Sequence, residues 1–171
     1  MSPEKEPRTV GVRKLSRRRQ RKDPGLILQN YLAGANTPEE ALFKINELLN
    51  AGQIENTRRY PRAPLTLPVI FKTGAKTSAG SSYTLSQRGM FIKCTDPPPT
   101  GSLLEVDLSL PQGELIRIAA EVLQSNPLKQ AAKSSSLSGM SVVFRKISAE
   151  DRRKIDRLVR AQARRMRKVI R

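Results

Sequence analysis

The chain has 171 residues, with 32 Lys and Arg against 15 Asp and Glu, a formal charge of +17. Without His and with a single Cys, Cys94, it excludes a disulfide framework, a Cys-based zinc site and histidine acid–base chemistry. The length suits one compact domain with appendages, and no apolar run resembles a signal peptide or a membrane span. A cytoplasmic protein with no transmembrane segment is expected.

In chain order, residues 1–22 come first, with nine Lys and Arg against two Glu and no periodic apolar residues, and read as a disordered basic arm. Residues 23–56 read as a helical hairpin. Asp23-Pro24 opens a short helix from Leu26 to Leu32, closed by Gly34. Thr37-Pro38-Glu39-Glu40 opens a second as a capping box, with Ala41, Leu42, Ile45, Leu48 and Leu49 as its apolar face and Gly52 as C-cap. Lys44 is the second helix's one cation, which argues against a helix-turn-helix DNA reader.

Over residues 57–147 the apolar period becomes that of strands. Leu65, Leu67, Val69 and Phe71 alternate, with Pro64 and Pro68 marking an edge. Ser82 to Leu85 and Met90 to Cys94 flank a turn, and Pro97-Pro98-Pro99-Thr100-Gly101 forms another. Leu104 to Leu110, Leu115 to Leu123 and Met140 to Ile147 complete six strands, with a polar loop at Lys133-Ser134-Ser135-Ser136. Short strands at close spacing favour a small antiparallel barrel or sandwich. Residues 148–171 read as a C-terminal helix capped by Ser148, with Glu150 and Asp151 at its positive end. Ile155, Leu158, Val159, Met166, Val169 and Ile170 form its apolar stripe, with Gln162 between. The first half of that stripe is expected to pack on the barrel, and its distal turns to pair with another copy or a partner.

The charge is concentrated at the ends. Residues 145–171 hold twelve Lys and Arg against three acids, while 23–144 hold eleven against ten. Basic ends on a nearly neutral body suit nucleic acid, an anionic membrane or an acidic protein, as well as a plain solvated tail and helix face.

Two segments carry candidate chemistry. In Arg58-Arg59-Tyr60-Pro61-Arg62, Pro61 disfavours helix and holds the arginines on an extended linker before the first strand. Guanidinium forks match phosphate oxygens and the O6/N7 edge of guanine, and stack on bases. In Thr84-Leu85-Ser86-Gln87-Arg88-Gly89, Ser86 offers a hydroxyl in the turn, and Gly89 permits positive φ or close ligand approach.

In this order the two segments resemble the PilZ domain family, whose motifs RxxxR and [DN]xSxxG appear here as Arg58-xxx-Arg62 and Thr84-x-Ser86-xx-Gly89. The resemblance extends over roughly 57–160, through Pro99–Gly101, Leu104-Glu105-Val106 and Gly139 to Phe144, to the helix opened by Ser148. It implies a mainly β protein, a six-stranded antiparallel β-barrel that binds cyclic di-GMP through Arg58, Arg59, Arg62, Thr84, Ser86 and Gly89. Thr84 departs from the family's Asp or Asn; losing one good hydrogen bond to a base edge costs about 1–3 kcal/mol, or one to two decades in affinity. The function implied is a non-enzymatic bacterial signalling adaptor, coupling cyclic di-GMP to a protein partner through the C-terminal helix or the N-terminal hairpin. Motility, polarity and exopolysaccharide regulation are the processes that the resemblance suggests. Two alternatives stand beside it: a PilZ protein-interaction module without ligand, and a PilZ-based regulator binding nucleic acid through its basic termini. Arg88-Gly89-Met90-Phe91 echoes an RNA-binding strand motif, but interleaved aromatics are missing. Glu105, Asp107 and Glu121 read as solvent-facing, no nucleophile–base pair is proposed, and neither metal nor cofactor is expected beyond cyclic di-GMP as ligand.

Overall fold

The computed structural model describes residue 29 and residues 32–50, 60–134 and 136–167. The basic arm, most of the first hairpin helix, Gly52, Arg58, Arg59, Ser135, Val169 and Ile170 lie outside the described residues. The strands are β1 (Ala63–Pro64), β2 (Pro68–Thr73), β3 (Lys76–Ser86), β4 (Gly89–Lys93), β5 (Leu103–Ser109), β6 (Leu115–Asn126) and β7 (Gly139–Lys146). The helices are α1 (Pro38–Asn50), α2 (Leu128–Ser134) and α3 (Ala149–Arg167).

All pairings are antiparallel, in the order β3-β2-β5-β6-β7-β4, and β4 pairs back to β3, closing a six-stranded barrel. Alternation along the strands fills its interior, with Val69 and Phe71, Leu104, Val106 and Leu108, Ile116, Ile118, Ala120 and Val122 all buried. Closure leaves the long strands without open edges. Two expectations need correction. The second strand begins at Lys76 rather than Ser82, because Lys76 to Ser81 pair with β2 although their side chains are small or exposed. The polar loop before β7 is in part α2, seven residues long, whose own Ala131 is buried.

The two-residue β1 continues the line of β2 along β3, pairing Ala63 with Leu85 and Pro64 with Thr84. The excursion between them is stapled by Ser82, which is fully buried. Its hydroxyl accepts from Leu67 N at 3.0 Å and donates to the Leu65 carbonyl. A bulge at Tyr83 accompanies this break, as bulges do where a strand must bend.

Helix α3 starts as expected, with Asp151 N donating to Ser148 Oγ at 3.0 Å. Ile155 and Val159 sit in the barrel core, each burial worth about 1.5–3 kcal/mol. The distal turns differ from expectation. Met166 is buried against this chain's own N-terminal segment, so through that residue the stripe is covered intramolecularly rather than offered to a copy or partner. Lys44 Nζ donates to the Met166 carbonyl at 3.1 Å, a cation at the negative end of the helix. Gly34 lies so close to the same carbonyl that a Cβ would overlap it.

The docking face of α1 is therefore not its apolar one. Leu42 and Leu48 are exposed, whereas Glu40 and Lys44 are buried. Thr37 and Glu40 form the capping box, Glu40 N donating to Thr37 Oγ1 at 3.2 Å and Asn36 N to Glu40 Oε2 at 2.7 Å. The other carboxylate oxygen accepts from Gln162 Nε2 at 2.7 Å and pairs with Arg165. Burial pushes this carboxyl up, but the bonds from Asn36, Gln162 and Arg165 outweigh it and leave its pKa below the ordinary 4.5. A carboxyl lowered on folding stabilises the docked state above its unfolded pKa, and that stabilisation is lost as pH falls through the folded value. Acidification through the lowered pKa of Glu40 should thus release α1 before the barrel. Hydrogen exchange, corrected for intrinsic rate, should show α1 amides losing protection there while β5 and β6 keep theirs. Glu40→Gln should weaken α1 protection at neutral pH and flatten its acid dependence.

Candidate functional site

The linker enters the barrel through Tyr60-Pro61-Arg62 and then β1. Because Ala63 pairs with Leu85, continuing that antiparallel register by one residue sets Arg62 opposite Ser86. The two sequence motifs therefore meet at one end of β3. A side-chain contact reinforces this: Arg88 Nη2 donates to Tyr60 Oη at 3.0 Å, and its guanidinium carbon lies 5.0 Å from the Tyr60 ring centroid. A cation–π contact at such an exposed site contributes about 0.5–1 kcal/mol. Neither Tyr60 nor Arg88 is singled out by sequence, since residues 28 apart carry no spacing signal.

Residues Gln87 and Arg88 form the tip of a two-residue hairpin between the paired Ser86 and Gly89. Ser86 is buried, and its hydroxyl works inside the turn. It accepts from Arg88 N at 3.3 Å and Gly89 N at 3.2 Å, and donates to the Gly89 carbonyl at 3.1 Å. A ligand reaching this hydroxyl must displace one of those bonds. Thr84 is half-buried between Pro64 and Phe91 in register, and among the described residues none hydrogen-bonds its hydroxyl. Arg62 is exposed and makes an interaction of its own. Arg58 and Arg59, the remaining expected site residues, lie outside the described residues.

Gly89 requires a correction. Its φ is not positive; instead β7 crosses so closely that a Cβ would overlap the Val142 carbonyl oxygen. The position needs glycine because a strand approaches it.

Beside the hairpin tip lies an open cleft of about 820 Å³, lined by Gln87 and, from α3, by Arg152, Arg153 and Arg157 together with Glu150 and Asp156. Its volume is within the range of small-molecule sites, and three guanidiniums against two carboxylates leave it a small positive excess. Elsewhere the outward acids pair across strands, Asp107 with Arg117 at 3.6 Å and Glu121 with Arg145 at 2.5 Å, as solvent-facing residues do. Burial and Asp96 raise the Cys94 thiol to about 11, which leaves it protonated at neutral pH. Among the described residues no group of acids or Cys could hold a metal ion, and no helix is long and apolar enough to cross a membrane.

The sequence model of the PilZ domain matches residues 56–161, well over half of the chain. The chain belongs to the PilZ domain family. Among solved structures it is similar to Bacillus subtilis MotI/DgrA, an inhibitor of motility, with TM-score 0.56 and 20% identity over 66% of this chain and 54% of that one. It is also similar to the PilZ domain of Escherichia coli YcgR, solved with c-di-GMP (TM-score 0.50, 18% identity, 66% of this chain and 95% of that one). K. pneumonia MrkH in complex with c-di-GMP gives TM-score 0.53 and 17% identity, over 67% of this chain and 55% of that one. This PilZ chain thus spans about half the length of MotI/DgrA and MrkH. No curated protein sequence matches it.

A side chain at the β4–β7 approach forces two backbones apart, a strain of about 1–3 kcal/mol. Gly89→Ala should therefore lower stability by about that amount in urea denaturation, whether or not ligand is added.

Proposed function

We propose that this PilZ protein is a non-enzymatic cytoplasmic adaptor that binds cyclic di-GMP where the linker meets the hairpin tip. The carrying observation is the β1–β3 register together with the Tyr60–Arg88 contact, which join the two motif segments at one end of β3. In this reading Arg58, Arg59 and Arg62 grip guanine edges and phosphates, while Thr84, Ser86 and Gly89 face a base across the barrel surface. The cleft beside Gln87, where three arginines exceed Glu150 and Asp156 by one charge, adds a modest positive potential for a dianionic dinucleotide.

The proposed output follows from what adjoins the linker. The Pro64 carbonyl, two residues after Arg62, accepts from Gln162 Nε2 at 2.9 Å, and the same nitrogen donates to Glu40 of α1. A ligand that draws the linker onto the barrel acts on that junction and so on how α1 docks, provided it binds the two arrangements differently. Motility, polarity and exopolysaccharide machinery are the outputs suggested by the family.

A ligand-free interaction module of the same fold is the second reading. Two observations favour it: Thr84 replaces a stronger acceptor, and the Ser86 hydroxyl is already engaged in its own turn.

Calorimetric titration with cyclic di-GMP, with cyclic di-AMP as control, separates the two. We expect weak binding to cyclic di-GMP alone, and its abolition in Arg62→Ala. Thr84→Asp should tighten binding by up to about tenfold, the worth of one added hydrogen bond. Absence of heat and of any melting shift at saturating ligand would establish the ligand-free module instead.

A further inference from the structure

Helix α3 carries a second stripe that neither the barrel nor α1 uses. Arg153, Arg157, Arg160, Arg164 and Arg167 alternate in steps of four and three, which keeps them on one helix face, and all are exposed. The stripe runs 14 residues beyond its start, about 21 Å at 1.5 Å per residue. Among the described residues only Arg160 of the five meets a carboxylate, Asp156 at 2.7 Å. The other acids of α3, Glu150 and Asp151, lie in its first turn and pair with Lys154.

We infer that this face binds the phosphate backbone of duplex nucleic acid without reading its sequence. Three observations select that partner. First, the exposed positions of α3 hold no apolar side chain larger than Ala149 and Ala161. A protein interface uses arginine too, but around a core of buried apolar and aromatic anchors. A surface of arginines alone lacks such anchors, whereas interfaces with nucleic acid are strongly positive and gain most from phosphate contacts and counterion release. Secondly, the stripe consists of arginine throughout, whose planar fork meets two phosphate oxygens at once. Thirdly, the face carries no aromatic residue for stacking and no Asn or Gln for adenine, which leaves guanine as the one base its arginines pair with and phosphate as the contact that every sequence offers. The inference rests on exposed charge and does not depend on the cyclic di-GMP reading.

The test uses the full chain, and fluorescence anisotropy with two unrelated DNA duplexes of about 20 base pairs, roughly three times the stripe's length. Poly-glutamate of matched charge serves as the acidic-protein probe. The variant Arg153→Gln/Arg157→Gln/Arg164→Gln removes three exposed cations while leaving the Arg160–Asp156 and Arg165–Glu40 pairs in place. Its melting temperature should stay near that of the parent. Both duplexes should bind the parent within a few-fold of each other. The triple variant should bind about tenfold or more weakly at moderate salt, with its log-affinity against log-salt slope shallower by about 2.7. An unchanged slope and affinity in a folded triple variant would overturn the proposal and assign any duplex binding elsewhere. Tighter binding of poly-glutamate than of duplex, lost in the same variant, would overturn it in favour of an acidic protein.

Discussion

Much of this architecture depends on two residues, Ala63 and Pro64, and in particular on one carbonyl group. The strand they form pairs with β3 on one side only. A proline there has no N–H, so the outer edge cannot recruit another strand as donor, but its carbonyl still needs a partner because the residue is buried. Gln162 supplies the proton, and its amide also donates to Glu40. Glu40 in turn holds Arg165, and Lys44 one turn further along α1 meets the end of α3 at Met166. Barrel edge, linker, first described helix and last helix thus converge on a single partly buried polar network. Such a network is costly unless every member is satisfied, which makes its geometry sharply defined.

That network also explains what the sequence displays and what it conceals. Alternation of period two in β2, β5, β6 and β7 is a direct consequence of a one-sided core, so those strands are legible to within a few residues. The first half of β3 is not, because Lys76 to Ser81 have no bulky residue to alternate; pairing with β2 alone holds them extended. Helix α1 is legible as a helix from its capping box, but its buried side is not legible from hydropathy. Leucines 42 and 48 mark the apparent inner face, yet Glu40 and Lys44 are the residues enclosed, since the surface they meet is a helix terminus rather than an apolar core. Gln162 likewise reads as an interruption in an apolar stripe and proves to be the hinge pin of the assembly.

The candidate site divides in the same way. Arg62, Thr84, Ser86 and Gly89 are found by spacing, because both motifs are local in the chain. The reason they meet is not local: it is the β1–β3 register and the Tyr60–Arg88 contact, made by residues that no periodicity couples. Gly89 shows a residue type read correctly and its cause misread. Glycine is required there, but by the carbonyl of β7 rather than by a turn dihedral or a ligand.

Helix α3 has three faces with three partners, and their independence constrains any regulation. Ile155 and Val159 belong to the barrel, while Gln162, Arg165 and Met166 belong to the network with α1. Among the described residues the arginine stripe makes no hydrogen bond or ion pair to α1 or the linker, so movement of the linker leaves it exposed in both arrangements. What such movement changes is Arg165. While α1 is docked, that guanidinium is neutralised by Glu40; once α1 leaves, one more cation faces solvent on the same helix. On the readings proposed above, cyclic di-GMP would then tune the strength of polyanion binding by about one charge rather than switch it on, an adjustment of the salt slope by about 0.9. A larger response would require the ligand to cover the stripe itself, and its nearest arginines, Arg153 and Arg157, are the ones that line the cleft beside the hairpin tip.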